Sequence, residues 1–306
     1  MRDLNIAVLG ATSLVGQPIL KQLATTGCRI IAYTRKMVAP HGDESIQWRQ
    51  LPDPHRSDSI DLWLAVAPIW VLPDYFPQIE ASGATRLVAL SSTSRFTKAA
   101  SDNSADAATA ARLAKGEHAL QTWAAQRGIE WVILRPTLIY GYGRDQNISA
   151  IAHFIRRFHL FPLLGRATGL RQPIHAEDVA TAALAALQRP AAANRAYNVS
   201  GGETLTYRQM VQRIFIALGI APRLITIPRW SFRLAVAIAR HLPRYRHLST
   251  AMAERMNRDL IFDHRAAARD LNFKPRAFVI TAVDLPPPRT HTKKLAGRNT
   301  AYDIER

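Results

Sequence analysis

Short apolar runs alternate with amphipathic segments through the first half of the chain. Each run is long enough for one buried strand and is bounded by polar residues or glycine. The runs are Leu4–Leu9, Arg29–Thr34, Leu62–Ala67, Arg86–Ser91 and Glu130–Leu134. Helical spacing of apolar residues marks the segments Leu14–Thr26, Pro73–Ala81 and Asp106–Arg127. Strands that alternate with helices predict an α/β fold, a doubly wound parallel sheet of the Rossmann type, because parallel neighbours need crossover helices.

The pattern changes after Pro136, where helical spacing dominates and strand candidates are short, at Ala196–Val199 and Leu224–Ile227. A small, mostly helical C-terminal lobe is therefore expected over the sheet's carboxyl edge. We expect the core to occupy residues 1–145 and the second lobe, interleaved with the core, residues 146–285. Residues 286–306 begin with three prolines and continue as a polar, basic stretch, which predicts a mobile tail.

Composition adds charge to this picture. The chain has 306 residues, of which 48% are hydrophobic, and a formal net charge of +17. Such a charge predicts attraction to anions, but no zinc-finger, RNA-recognition or basic-zipper pattern is present, so no nucleic acid is expected. Cys28 is the single cysteine, which excludes an internal disulfide and a cysteine-clustered zinc site, and no metal is expected. No apolar run approaches the ~20 residues that span a bilayer, so we expect a cytoplasmic protein.

A glycine-flanked turn joins the first predicted strand to the first predicted helix, which is the position of a phosphate-binding turn. Gly10 permits the tight turn, and Gly16 lets the helix pack closely on the sheet. Free N–H groups at the helix start would face a pyrophosphate. The predicted cofactor contacts here are Gly10, Thr12, Ser13, Leu14, Val15 and Gly16. An ordinary strand–turn–helix junction is the alternative.

The end of the second predicted strand bears on the choice of cofactor. An acidic residue there would hydrogen-bond the ribose hydroxyls of NAD, whereas this chain has Thr34-Arg35-Lys36. Two cations in that place favour a 2′-phosphate, so NADP(H) is predicted and NAD(H) stays the alternative. Arg35 and Lys36 as two solvated surface cations remain a further interpretation.

Four blocks of sequence, in this order and at these separations, resemble the extended short-chain dehydrogenase/reductase superfamily, in particular its nucleoside-diphosphate-sugar epimerase and dehydratase branch. The first block is the glycine turn, and the second is a strand that ends in hydroxyl residues. The third is like the family's strand-six signature, and the fourth is like its second-lobe motif. After the turn, the blocks are Val88-Ala-Leu-Ser91-Ser92-Thr93, Leu134-Arg135-Pro136-Thr-Leu-Ile-Tyr140-Gly141 and Arg171-Gln-Pro-Ile-His175-Ala-Glu-Asp178-Val-Ala180.

The resemblance implies a role for several residues. It places Ala65, Val66, Ala67, Ser91, Pro136 and Thr137 beside the cofactor. Thr93 would hydrogen-bond a substrate oxygen, and Lys115 would bind the nicotinamide ribose. Arg171 would hold the diphosphate of a sugar nucleotide, where a guanidinium offers paired donors, and Asn147 is a further expected substrate contact. An ordinary surface lysine is the alternative for Lys115.

The resemblance fails at the proton carrier. In the family a tyrosine four residues before the lysine acts as acid and base, because the lysine lowers the tyrosine's pKa. Ala111 occupies that position, and no tyrosine lies between Tyr75 and Tyr140. Tyr140 is our candidate replacement, with Tyr142 or His175 as alternatives. Packing beneath the cofactor pocket is the other interpretation of both tyrosines.

A cationic segment with a tryptophan, Arg229–Arg240, has the composition of a helix that lies in a membrane interface. Peripheral contact with an anionic inner membrane face is therefore one expectation, and a second-lobe helix packed inward is the other. The leading interpretation of the whole chain is an NAD(P)-dependent epimerase/dehydratase-like oxidoreductase for an anionic small molecule such as a sugar nucleotide. A non-catalytic NADP(H)-binding scaffold at a membrane is the alternative. The sequence does not fix an oligomeric state.

Overall fold

The structure is a computed structural model that describes residues 4–35, 45–51, 59–99, 103–228 and 255–288. Its strands are β1 Asn5–Leu9, β2 Arg29–Thr34, β3 Ile46–Gln50, β4 Leu62–Ala65, β5 Arg86–Leu90, β6 Glu130–Pro136, β7 Ile139–Tyr140, β8 Phe161–Leu164, β9 Leu170–Arg171, β10 Ile174–His175, β11 Arg195–Val199, β12 Leu205–Thr206 and β13 Leu224–Ile227. Its α-helices are α1 Gly16–Ala24, α2 Phe76–Ala81, α3 Ser94–Thr97, α4 Ser104–Arg127, α5 Ile148–Phe158, α6 Ala176–Gln188, α7 Tyr207–Ala217 and α8 Arg265–Leu271.

Seven parallel strands form the main sheet in the order β11-β6-β5-β4-β1-β2-β3. The strand order reverses between β1 and β4. In open α/β sheets, ligands bind outside the carboxyl ends of the strands at such a reversal. The glycine turn follows β1, so the fold places it at this crevice.

Both faces of the sheet are buried, which explains why its strands read as nearly continuous apolar runs. On β1, Ile6 and Val8 face one core, which α1, α6 and α8 cover. Ala7 and Leu9 face the other core, which α2 and α4 cover. The prediction of a doubly wound Rossmann-type fold is confirmed.

A smaller lobe has its own core, built by α5, α7 and β8. Three two-stranded pairs accompany these helices: β7 with β10, β8 with β13, and β9 with β12. Residues 278–286 run across this lobe, and hydrogen bonds to their main-chain carbonyl oxygens hold them there. The Tyr140 hydroxyl donates to Val279 O at 3.1 Å, Gly143 N donates to Asp284 O at 3.1 Å, and Arg156 donates to Pro286 O.

Some elements differ from those predicted. The predicted helix Pro73–Ala81 is a 3₁₀-helix over Ile69–Tyr75 followed by the shorter α2. The strand predicted at Ala196–Val199 does not serve the second lobe, since it pairs with β6 in the main sheet. The segment Arg229–Arg240 and the tail from residue 289 lie outside the described residues. Within the described ranges, no helix combines the length and apolar character needed to cross a membrane.

Candidate active site

Two glycines shape the turn between β1 and α1 because other backbone atoms lie too close for a side chain. Gly10 has φ +85°, and a Cβ there would lie 2.7 Å from the N atom of Ala67. A Cβ on Gly16 would lie 2.5 Å from the carbonyl oxygens of both Gly10 and Ala11. Real Cβ contacts are not that short, so the β1–α1 turn depends on glycine at both positions.

Ser13 replaces the middle glycine of the motif without opening the turn. Its N–H donates to Gly10 O at 2.9 Å, and its Oγ accepts from Gly16 N at 3.0 Å. The N–H groups of Leu14 and Val15 donate no hydrogen bond within the described part of the chain. These two groups, at the start of a helix, are suited to bind phosphate oxygens. Thr12 is exposed on the same turn.

The wall beside the turn is formed by the residues that follow β4. Val66 N donates to Leu9 O at 2.8 Å, and Ala65 and Val66 are buried. Ala67 lies against Gly10. The structure therefore brings the predicted residues of β4 and the glycine turn to one crevice.

At the second strand, only one of the two predicted cations can be placed. Arg35 follows β2 directly and is exposed, and its carbonyl accepts from Gln50 Nε2 at 3.3 Å. Lys36 lies outside the described residues. The choice of NADP(H) over NAD(H) stays a prediction.

Hydroxyl residues lie at the carboxyl ends of β5 and β6. The buried Thr93 donates from Oγ1 to Pro136 O at 3.1 Å, which leaves this hydroxyl oxygen able to accept a further bond. Thr137 donates to Gln172 O and so connects β6 to the second lobe. Ser91 donates to Glu117 Oε1 at 2.5 Å.

Ser91, Arg95, Glu117 and Arg135 form a connected group that we call the Glu117 cluster. The Glu117 carboxylate is fully buried. Arg135 donates to both of its oxygens, and Arg95 forms a second ion pair with it. Burial raises the pKa of Glu117, but hydrogen bonds from Arg135 and Ser91 and the two positive charges outweigh burial and hold the pKa below its ordinary value. Glu117 is thus an ionised structural carboxylate with two cations around it.

Both guanidinium groups of this cluster also lie over one aromatic ring. The Cζ atoms of Arg135 and Arg95 lie 5.3 Å and 5.7 Å from the centroid of Phe96. Phe96 is exposed, and its ring centroid is 6.1 Å from that of Phe262 in the second lobe. Two arginines for one carboxylate give this end of the crevice a net positive charge.

Lys115 lies on the exposed side of α4, and its binding of the nicotinamide ribose stays a prediction. Lys115 precedes Glu117 by two residues, a rotation of about 200° around a helix, and it is exposed. Ala111 is exposed on the same outer side of α4. The buried residues of α4 that share the side of Glu117, towards the N-terminus, are Asp106, Ala110 and Leu113. The face of α4 that contacts Ser91 therefore carries neither a tyrosine nor a lysine.

The surroundings of Tyr140 favour the alternative of a packing residue, and its role as proton carrier stays a prediction. It is buried in the core of the second lobe, where its hydroxyl donates to Val279 O. Its ring is edge-on to His175 and Phe278, with centroids 5.1 Å and 4.9 Å away. Burial raises the pKa of Tyr140 to about 12. A phenol that is buried and hydrogen-bonded to a carbonyl in this way is typical of a packing residue.

The two alternatives to Tyr140 are also engaged elsewhere. Tyr142 donates to Glu177 Oε1 at 2.6 Å, and its pKa is raised by burial and by this carboxylate. His175 Nδ1 accepts from Glu177 N at 3.2 Å. Its Nε2 lies 3.0 Å from Asp284 Oδ1, a geometry that assigns the ring proton to Nε2. Both residues fix the start of α6 to residues 278–286.

Arg171 binds main-chain carbonyls of the second lobe, and the diphosphate role stays a prediction. It is buried, and Nη1 donates to Leu170 O at 2.7 Å and to Arg258 O at 2.8 Å. Nη2 donates to Arg255 O. Burial lowers the pKa of Arg171. Asn147, the other predicted substrate contact, is exposed just before α5.

The sequence predictions missed three charged residues at the crevice: Arg95, Glu117 as an ion-pair partner, and Arg144. Arg135 lies within the strand-six block. An arginine in a buried strand needs a carboxylate partner, and this requirement could have predicted a buried acidic residue such as Glu117. Arg144 follows the same block by three residues and contacts the glycine turn, as described below. The described residues contain no group of three or more His, Cys, Asp or Glu side chains that could hold a metal ion.

Comparison with known proteins agrees with this fold. Residues 77–200 match the model of the NAD dependent epimerase/dehydratase family. The UDP-glucose 4-epimerase of Vibrio cholerae is 25% identical over 120 residues, which are 39% of this chain and 37% of that protein. NADH dehydrogenase (ubiquinone) 1 alpha subcomplex subunit 9 of Arabidopsis thaliana mitochondria is 27% identical over 111 residues, 36% of this chain and 27% of that protein. The alignments span 37% or less of the length of these curated relatives.

Among solved structures, the UDP-glucuronic acid 4-epimerase from Bacillus cereus in complex with NAD is similar with a TM-score of 0.66 at 15% identity. That likeness covers 92% of this chain and 95% of the other. The resemblance to the extended short-chain dehydrogenase/reductase superfamily is confirmed. The chain has the fold of these epimerases, and the match to the epimerase/dehydratase family model lies in residues 77–200.

Proposed function

We propose that the protein binds a pyridine dinucleotide on the Gly10–Gly16 turn and a sugar nucleotide beside it. We further propose that any hydride transfer there proceeds without the tyrosine–lysine pair of the family. The observation that carries this proposal is the contrast between the two sides of the crevice. The glycine turn keeps a backbone geometry that no side chain would permit at Gly10 and Gly16, whereas the inner face of α4 has neither a phenol nor an ammonium group.

The residues present fit the dinucleotide. The N–H groups of Leu14 and Val15 would bind its pyrophosphate, and Arg35 with Lys36 would favour the 2′-phosphate of NADP(H). Ser91, Pro136 and Thr137 would border the nicotinamide. When bound, the nicotinamide exchanges a hydride with a substrate carbon.

The substrate we propose is anionic, because the cluster at the nicotinamide end has one more positive than negative charge. Thr93, whose hydroxyl donates to Pro136 O, would accept one hydrogen bond from a substrate hydroxyl. Glu117 is a poor general base because two arginines hold it ionised with a lowered pKa. Since loss of a general acid or base costs about 10²–10⁴-fold in rate, we expect turnover well below that of a standard epimerase.

A non-catalytic scaffold is the second candidate, and two observations favour it. The inner face of α4 offers no proton carrier, and one relative of this chain is named as a subunit of NADH dehydrogenase. In this case the dinucleotide would stabilise the fold or report the redox state of the cell. Contact with an anionic membrane surface stays a prediction from residues 229–240.

Fluorescence titration with NADPH and NADH tests the first half of the proposal. Binding of either dinucleotide is expected, with NADPH tighter, and no binding of either would contradict both candidate functions. Transfer of deuterium from labelled NADPH or NADH to the keto forms of UDP-sugars, and from deuterated UDP-sugars to NADP+ or NAD+, separates the two. Slow transfer supports the enzyme, and dinucleotide binding with no transfer to any compound supports the scaffold.

A further inference from the structure

Arg144 connects the second lobe to the cofactor turn. It lies in the loop between β7 and α5, and its Nη2 donates to Thr12 O at 2.9 Å. Its Nη1 donates to the side-chain oxygen of Gln17, at the start of α1. The guanidinium group thus lies against the segment that carries the N–H groups of Leu14 and Val15.

The charge of Arg144 has no anionic partner in the described part of the chain. Both of its partners are neutral, one a carbonyl and the other an amide, and no carboxylate forms an ion pair with it. The N-terminal end of a helix carries a partial positive charge, so a cation next to it is repelled. The arrangement becomes favourable when an anion binds to the helix end and to the cation together. The nine-residue α1 and Arg144 present positive charge to the same place.

The loop holds Arg144 in position before any ligand arrives. Gly143 has φ +61°, and a Cβ there would lie 2.5 Å from Leu285 O. On the other side, Asp145 is buried and its Oδ1 accepts from the N–H groups of Asn147 and Ile148 at 2.9 Å and 2.6 Å. The residues on both sides of Arg144 are therefore fixed, which reduces the entropy that binding through it would cost.

Ser13, which stands where the motif has its middle glycine, occupies one N–H donor of the turn, and Arg144 can replace that donor. The Ser13 hydroxyl accepts the Gly16 N–H, so that donor is no longer offered to a ligand. A guanidinium has five N–H donors in a planar fork that suits phosphate oxygens, and two of them are used on the turn. Donors of Arg144 remain to replace the one that Ser13 removes.

We propose that Arg144 binds the pyrophosphate of the dinucleotide and closes the second-lobe loop over the glycine turn. This inference rests on the proposed dinucleotide site. A pyrophosphate is also present in sugar nucleotides, but the contacts of Arg144 with Thr12 and Gln17 assign it to the cofactor. Its contribution is to affinity and retention, independent of any chemistry at the nicotinamide.

Calorimetric titration of the full chain with NADPH, ADP-ribose, adenosine and UDP tests this role. For Arg144→Ala we expect about 10- to 100-fold weaker binding of NADPH and ADP-ribose, the range for a lost charge-assisted bond. Adenosine, which lacks phosphate, is expected to bind as it does to the wild type, and UDP likewise. Arg144→Lys keeps the positive charge but lacks the planar guanidinium. Its affinities for NADPH and ADP-ribose are expected to lie between those of the wild type and Arg144→Ala. The affinity of the wild type for NADPH should fall more steeply with salt than that of Arg144→Ala.

Lys21→Ala is the matched control, since it removes one positive charge from the exposed last turn of the same helix. It is expected to bind all four ligands as the wild type does.

Equal affinities of wild type and Arg144→Ala for ADP-ribose would overturn the inference, as would an equal loss in Lys21→Ala. A loss confined to UDP would assign Arg144 to the substrate and overturn it too. Failure of the wild type itself to bind NADPH or ADP-ribose would instead overturn the dinucleotide site, and this inference with it. Thermal unfolding of each variant confirms that it is folded, and Arg144→Lys replaces Arg144→Ala if the latter is not.

Discussion

The Ser91 hydroxyl donates a hydrogen bond to Glu117 Oε1 at 2.5 Å, and this contact fixes which side of α4 faces the carboxyl end of β5. A helix repeats every 3.6 residues, so the residues that share this side lie three, four and seven positions from Glu117. On the N-terminal side of Glu117 they are Ala114, Leu113 and Ala110, which are small or apolar. Asp106, eleven positions before Glu117, is bound by Lys98 and Arg255.

We expect Lys115→Ala to bind NADPH and NADH with affinities within about twofold of the wild type. Lys115 is exposed and lies about 200° around α4 from Glu117, so we expect its ammonium group to stay in solvent and not to bind a ribose at Ser91. Fluorescence titration measures the affinities. A tenfold loss in Lys115→Ala would show that this lysine reaches the cofactor and would restore the assignment implied by the family resemblance.

Glu117→Gln is expected to reduce the free energy of unfolding by about 3 kcal/mol or more, because it leaves two partly buried arginines without their counter-charge. Denaturant unfolding at neutral pH measures the change. Glu80→Gln is the matched control, since Glu80 forms its ion pair with Arg127 at the surface, and we expect it to cost less than about 1 kcal/mol.

The pH dependence gives a second measurement on the same pair of variants. A carboxyl whose pKa is lowered on folding stabilises the protein above its ordinary pKa of 4.5, and this contribution is lost as the pH falls through the lower, folded value. The difference in stability between wild type and Glu117→Gln should be constant from pH 6 to 8 and shrink below about pH 4.5. A difference that is unchanged down to the acid transition would contradict the ionised state of Glu117.

Tyr140→Phe is expected to leave dinucleotide binding and any turnover unchanged and to cost about 0.5–1.5 kcal/mol of stability, the value of one buried hydrogen bond. The raised pKa adds a signature: stability from the protonated hydroxyl is present below pH 10 and is lost as the pH rises towards about 12. The wild type should therefore lose its advantage over Tyr140→Phe in that alkaline range. A loss of turnover by 10²-fold or more with unchanged stability would instead make Tyr140 the proton carrier.

The fold was predictable where the local pattern was strong. The apolar run Arg29–Thr34 coincides with β2, and Leu224–Ile227 coincides with β13. The edge strand β3, Ile46–Gln50, was missed because its sequence IQWRQ is mostly polar and only partly buried. β11 was predicted as a short strand, but its parallel partner β6 lies some 60 residues away in sequence, and local periodicity contains no information on pairing.

The site was predictable to the extent that it is local. The glycine turn is contained in seven consecutive residues, and its backbone geometry follows from Gly10 and Gly16. The role of Lys115 was assigned by spacing along the chain, whereas its direction depends on which side of α4 packs on the sheet. Arg144 contacts residues 132 and 127 positions away, so its place beside the turn could be found only from the folded chain.

Gly10→Ala tests the most basic requirement of the site, and we expect it to abolish detectable dinucleotide binding. The new methyl group would lie 2.7 Å from Ala67 N and 3.0 Å from Val66 C, both backbone atoms of the neighbouring strand end, so the turn must move away from β4.

Gly83→Ala separates this clash from backbone strain. Gly83 has a similar φ of +74° but nothing within 4 Å of the added carbon, so it should lose about 1 kcal/mol of stability through strain alone and keep dinucleotide binding. Fluorescence titration with NADPH, together with thermal unfolding of both variants, measures the two effects. Normal binding by a folded Gly10→Ala would mean that the dinucleotide does not depend on this turn, and the crevice at β1 and β4 would lose its assigned ligand.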